Sequence, residues 1–123
     1  MKKTILVVDD EPDVLTFLKK RLEAHNYKVI TANDGIEGLK KARESKPDII
    51  LLDIIMPNKD GFTMLSELRA KEETSDIPVV IISAKAESRS IFEGQYLGAV
   101  DYLIKPYDFK ELLKYIKRYT LKV

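Results

Sequence analysis

Ile5-Leu6-Val7-Val8-Asp9-Asp10-Glu11 sets four unbroken apolar residues directly against three carboxylates. An apolar run without polar alternation reads as a strand buried on both faces, as in a parallel sheet covered by helices. Four further runs follow: Val29-Ile30, Ile49-Ile50-Leu51-Leu52, Val79-Val80-Ile81-Ile82 and Tyr102-Leu103-Ile104. Between them the apolar spacing turns helical. Val14, Leu15, Leu18 and Leu22 recur at intervals of one, three and four, with Pro12 near the start, where proline is tolerated. Asn33-Asp34-Gly35 opens a second helix with Ile36, Leu39 and Ala42 on one side. Asp60-Gly61 opens a third, with Phe62, Leu65 and Leu68. The fourth, about Glu87 to Leu97, carries a weaker stripe of Ile91, Phe92 and Leu97, and Gly94 inside it lowers helix propensity. The fifth begins near Asp108, with Phe109, Leu112, Leu113 and Ile116 inward.

This alternation predicts (βα)5 in one domain over residues 1–123, with no effector domain. Right-handed crossovers place helices on both faces, so the expected class is α/β: a doubly wound, five-stranded parallel sheet of flavodoxin-like type. The strand order 2-1-3-4-5 is the common solution for such a sheet and is taken from that class.

The 123 residues are enough for one core and too few for two. Apolar residues make up 45% and charged residues 33%, the balance of a soluble globular chain. Net charge is +1, from 21 basic and 20 acidic residues, so bulk electrostatics favour neither nucleic acid nor a membrane surface. Cysteine is absent, which excludes disulfides and thiolate metal sites and fits a cytoplasmic location. The apolar start, Ile5 to Val8, is too short for a signal peptide, and no run approaches the ~20 residues that span a bilayer.

The chemistry is carried by what ends each run. The first ends in Asp9-Asp10-Glu11, the third in Asp53, the fourth in Ser83 and the fifth in Lys105-Pro106. In a parallel sheet these ends share one edge, and ligands of open α/β sheets bind outside that edge. Each residue alone has a simpler reading. Asp9, Asp10 and Ser83 suit turns or caps, Lys105 a solvated loop, and Tyr102 a half-buried core aromatic. Their joint placement points elsewhere. Carboxylates 9, 10 and 53 cannot all stay ionised together without a counter-charge. A hard cation such as Mg2+ supplies one and prefers oxygen ligands. One carboxylate then serves as nucleophile toward phosphorus, with Lys105 and Ser83 stabilising phosphoryl charge.

These segments resemble the receiver domains of response regulators over nearly the whole chain. The match is carried by Ile5 through Glu11, by Leu52-Asp53-Ile54-Ile55-Met56-Pro57 with Asp60-Gly61-Phe62, by Ile82-Ser83-Ala84-Lys85, and by Gly98-Ala99 with Asp101 through Pro106. The resemblance implies that Asp53 is the phosphoacceptor. It implies that Asp9, Asp10, Asp53 and the backbone carbonyl of Ile55 hold Mg2+ (or Mn2+). It gives Ser83 and Tyr102 as a paired switch, Lys105 as the phosphoryl-binding lysine, and a cis Lys105-Pro106 bond. Implied partners are a histidine kinase or histidine phosphotransfer protein and a downstream protein target, with no direct nucleic-acid binding and no membrane. No turnover of an independent substrate is expected, so the chain is not read as an enzyme. Asn58-Lys59, Gln95 and Val100 depart from common family residues, and Ile55 and Lys85 fill variable flanking positions.

The rival within the family is a phosphorylation-independent interaction module, whose usual mark, loss of an acidic or lysine position, is missing here. A dehalogenase-type phosphatase would want a second Asp where Ile55 stands. A flavin or nucleotide binder would want a glycine-rich phosphate loop after the first strand, not Asp9-Asp10-Glu11. Lys114, Lys117, Arg118 and Lys122 make the end of the fifth helix basic, which suits its dipole. Tyr115 and Tyr119 are expected to be exposed there. Output is expected through the fourth helix, fifth strand and fifth helix, linked to the site by Tyr102.

Overall fold

The computed structural model describes residues 2–56 and 58–121. Strands β1 (Thr4–Val8), β2 (Lys28–Ala32), β3 (Ile49–Leu52), β4 (Val79–Ser83) and β5 (Asp101–Ile104) alternate with helices α1 (Pro12–Ala24), α2 (Gly35–Ser45), α3 (Gly61–Ala70), α4 (Ser88–Tyr96) and α5 (Phe109–Thr120). The strands form one parallel sheet in the order β2-β1-β3-β4-β5. This is the expected architecture and order. Lys122, the last of the expected basic residues, lies outside the described residues.

Alternation along the strands divides the core in two. Ile5, Val7, Ile49, Leu51, Val80, Ile82 and Leu103 face α1 and α5, meeting Leu15, Leu18, Leu22, Leu112 and Ile116. Leu6, Val8, Ile50, Leu52, Val79 and Ile81 face the other way, onto Leu39, Met64, Leu65 and Leu68. Every residue of β3 and β4 is buried, whereas the outer strands β2 and β5 are only partly covered. Position in the sheet thus explains why the apolar runs are longest at its centre and shortest at its margins.

Three of the helices start on aspartates and one on proline, while α4 follows Glu87 without a side-chain cap. Asp34, Asp60 and Asp108 each accept a hydrogen bond from a backbone N–H of the first turn, at 2.8 Å from Glu37, 2.9 Å from Thr63 and 3.0 Å from Lys110. Pro12 begins α1, where its missing N–H costs nothing.

Three expected placements are corrected. Ile36 is 59% exposed, and the buried side of α2 is Gly35, Gly38, Leu39 and Ala42. Gly38 sets that face: a β-carbon there would lie 3.0 Å from both Val8 and Met64. Phe92 is 68% exposed, and α4 rests on Ser90 and Gly94, with Ile91 and Leu97 half-buried. A β-carbon on Gly94 would stand 2.7 Å from Ile81 Cδ1, so the glycine brings this part of α4 down onto the sheet. Tyr115 and Tyr119 are half-buried, and the Tyr119 hydroxyl donates to Asp101 Oδ2 at 2.8 Å and to the Val100 carbonyl at 3.1 Å.

Candidate functional site

The carboxyl edge of the sheet carries the five polar residues that end the apolar runs. Asp9 and Asp10 follow β1, Asp53 follows β3, Ser83 closes β4 and Lys105 follows β5. Sheet hydrogen bonding runs on past the strand ends and fixes their backbones. Asp9 N–H donates to Ala32 O at 3.1 Å, Asp53 N–H to Val8 O at 3.0 Å and Lys105 N–H to Ser83 O at 2.9 Å. The Lys105-Pro106 peptide is cis, as the resemblance implied.

One carboxylate oxygen from each of Asp9, Asp10 and Asp53 lies within 4.8 Å of the others. Asp9 and Asp53 are 4% and 7% exposed, and Asp10 is exposed. The two buried acids are held alike. Asp9 Oδ1 accepts from Glu11 N–H at 2.9 Å and Asp53 Oδ1 from Ile55 N–H at 3.0 Å. Their remaining oxygens face Lys105 Nζ, at 3.4 Å for Asp9 Oδ2 and 3.3 Å for Asp53 Oδ2. Burial pushes the Asp9 carboxyl above its usual value, against the Glu11 N–H and Lys105. Burial pulls the Lys105 ammonium down, but Asp53 and Asp9 more than offset this, so its pKa is raised.

Three carboxylates facing one ammonium leave negative charge uncompensated, and the donors are hard oxygens. Asp9, Asp10 and Asp53 therefore fit a divalent cation of the Mg2+ type. Metal-free, the charge on Asp9 costs stability. Its folded pKa lies above the unfolded value near 3.8, so the fold favours the protonated form. In EDTA, Asp9→Asn is expected to unfold at a higher temperature than the parent at about pH 7, the gap closing as pH falls through the folded pKa toward the unfolded one. Thermal unfolding of both proteins against pH checks this; a parent more stable at neutral pH would contradict it.

Ser83 is fully buried, and its Oγ accepts from Lys85 N–H at 3.1 Å. The half-buried Tyr102 donates its hydroxyl to the Lys85 carbonyl at 2.7 Å. The two expected switch residues are thus tied to one residue between β4 and α4. Sequence reasoning placed Lys85 only as a variable flank. The Ser-x-Lys spacing at a strand end allows a serine turn, but nothing in it signals the tyrosine contact. Gly61 was also missed as a site residue. A β-carbon on it would lie 2.5 Å from Ile54 Cα and 2.7 Å from the Asp53 carbonyl oxygen, so α3 begins directly against the Asp53 peptide. Asn58, one of the departures, stands at φ 67°, a left-handed conformation that asparagine tolerates better than most residues. Ile55 is 51% exposed beside the acids.

This fold and this edge define a receiver module. Residues 5–117 match the model of the response regulator receiver domain, and the chain belongs to that family of two-component signalling. It is 43% identical over 112 residues to the protein PilH of Pseudomonas aeruginosa, covering 91% of this chain and 93% of PilH. It is 43% identical over 117 residues to the alkaline phosphatase synthesis transcriptional regulatory protein PhoP of Bacillus subtilis, covering 95% of this chain but only 48% of PhoP. The chain thus spans about half the length of the transcriptional regulators it matches. Among solved structures it is similar to the receiver domain of a Pseudomonas aeruginosa sensor histidine kinase with magnesium coordinated in its active-site cleft. There the TM-score is 0.89 at 30% identity, over 98% of each chain.

Proposed function

We propose that this receiver accepts a phosphoryl group on Asp53 from a histidine kinase or histidine phosphotransfer protein, in a reaction that needs Mg2+ or Mn2+. The observation that carries the reading is Asp53 itself: a nearly buried carboxylate with Lys105 Nζ at 3.3 Å and two further acids within 4.8 Å. An Asp53 oxygen forms the new bond to phosphorus while the bond to the donor's nitrogen or oxygen breaks, its electron pair leaving with the donor. Lys105 neutralises phosphoryl charge and Ser83 Oγ donates to a phosphoryl oxygen. Asp9, Asp10, Asp53 and the Ile55 carbonyl would hold the metal, which when bound would neutralise the charge that gathers on phosphoryl transfer. The magnesium in the similar histidine-kinase receiver supports this assignment.

The chain acts as a phosphoacceptor and turns over no independent substrate. Ser83 moving toward the phosphate releases Lys85, to which Tyr102 is tied, and a protein partner reads the result on the face of α4, β5 and α5. No direct contact with nucleic acid is assigned to it. Among the described residues no helix is long and apolar enough to cross a membrane, which fits a cytoplasmic place.

Intact-mass spectrometry after incubation with acetyl phosphate tests the reading. A single phosphoryl adduct with Mg2+, lost with EDTA, is expected. In Tyr102→Ala the adduct should persist while phosphorylation-dependent partner binding disappears. No adduct with Mg2+ present and the fold intact would overturn the reading.

A further inference from the structure

The segment between Asp53 and α3 is held from two sides. On one side Gly61 abuts the Asp53 carbonyl and the Ile54 backbone, and Gly61 N–H donates to Ile54 O at 3.2 Å. On the other it meets the start of α2. Asn58 Nδ2 donates to Asp34 Oδ2 at 3.4 Å. A β-carbon on Gly35 would overlap the Lys59 carbonyl oxygen and lie 2.9 Å from Lys59 Cβ. Lys59 is in turn ion-paired to Glu67 on α3.

The α2 end of this contact is itself fixed. Asp34 Oδ1 accepts from Glu37 N–H at 2.8 Å, and Glu37 Oε1 accepts from Asn33 N–H at 2.7 Å. These reciprocal bonds hold the first turn of α2 and the residue before its cap, much as a capping box does. Asp34 thus divides its two oxygens, one for its own helix and one for the neighbouring loop.

We propose that Asp34 and Gly35 are positioning residues for the metal site. They seat Asn58 and Lys59, and through them set where the Ile55 carbonyl stands. The inference rests on the functional reading above, because only a bound cation makes the place of that carbonyl matter. Neither residue touches the carboxylate cluster; their effect passes through the loop. Residues that orient a metal's ligands from one layer out commonly change its affinity about 10-fold to 100-fold when replaced.

Three variants separate seating from capping. Gly35→Ala pushes on the Lys59 carbonyl. Asp34→Ser keeps an oxygen for the Glu37 N–H but has none left for Asn58. Asn58→Gly keeps the positive φ and removes the amide. Mg2+ is titrated into each full chain and followed by amide NMR, with thermal unfolding measured alongside. Gly35→Ala should bind Mg2+ about 10-fold more weakly. Asp34→Ser and Asn58→Gly should each weaken binding, with no further loss when combined, because they break the same contact. In the metal-free Gly35→Ala protein the Ile54 and Ile55 amides should shift, while those of Thr4 and Lys28 at the opposite edge stay in place. Unchanged Mg2+ affinity with unmoved Ile54 and Ile55 amides would overturn the inference. A parent protein that binds no Mg2+ would instead overturn the functional reading, and the metal-free shifts would then decide the positioning alone.

Discussion

Asp53→Asn is expected to take no phosphoryl group from acetyl phosphate under conditions that give the parent a single adduct. An amide oxygen carries no full negative charge and leaves no stable acyl phosphate, so the nucleophile is lost outright. The rest of the site should survive. An asparagine oxygen still accepts from Ile55 N–H, as Asp53 Oδ1 does at 3.0 Å, and Lys105 keeps Asp9 at 3.4 Å. Removing one of three converging carboxylates relieves repulsion, so the metal-free variant should be at least as stable as the parent. Intact mass and thermal unfolding in EDTA measure both effects. A full adduct on the variant would move the phosphoacceptor to another side chain.

Gly61→Ala should damage fold and site together. The new methyl would stand 2.5 Å from Ile54 Cα and 2.7 Å from the Asp53 carbonyl oxygen, and backbone atoms cannot rotate aside as a side chain can. Nor can α3 retreat cheaply, because Met64, Leu65 and Leu68 are fully buried against the sheet. A loss of about 3 kcal/mol is expected, at the upper end for overpacking. The better helix propensity of alanine, worth ~1 kcal/mol, offsets only part of the strain. Denaturant unfolding gives the stability, and the initial rate of adduct formation gives the effect on the site. Parent-like values for both would show that the strand end yields more readily than its burial implies.

The central strands and the five site residues were legible because burial and chemistry leave opposite marks on a sequence. Ile49 through Leu52 has no polar residue to spare, so Asp53 directly after it is conspicuous. The same logic placed Asp9, Ser83 and Lys105. Helix faces were less legible. Ile36 and Phe92 fit an apolar stripe, but Gly38 and Gly94 decide which side of each helix approaches the sheet, and glycine carries no apolar signal. Contacts made through backbone were largely hidden. Nothing in Asp60-Gly61 distinguishes a helix opening from a helix pressed against the Asp53 peptide, and Lys85 engages Ser83 and Tyr102 through its peptide groups alone. Tyr119 appeared free for lack of any sign that Asp101 would meet its hydroxyl.

The order of the strands has a consequence for motion. Asp53 extends from β3, which is braced by β1 and β4, whereas Tyr102 rides on β5, which has β4 as its one neighbour in the sheet. Asp53 is thus mounted on an inner strand, paired on both sides, and the Tyr102 ring on an edge strand paired on one. Amide exchange should rank the same way, slowest in β3 and faster in β5 and in α4, which rests on a serine and a glycine. In mechanical terms the sheet is a graded spring, anchored beside the acid cluster and looser at its β5 margin.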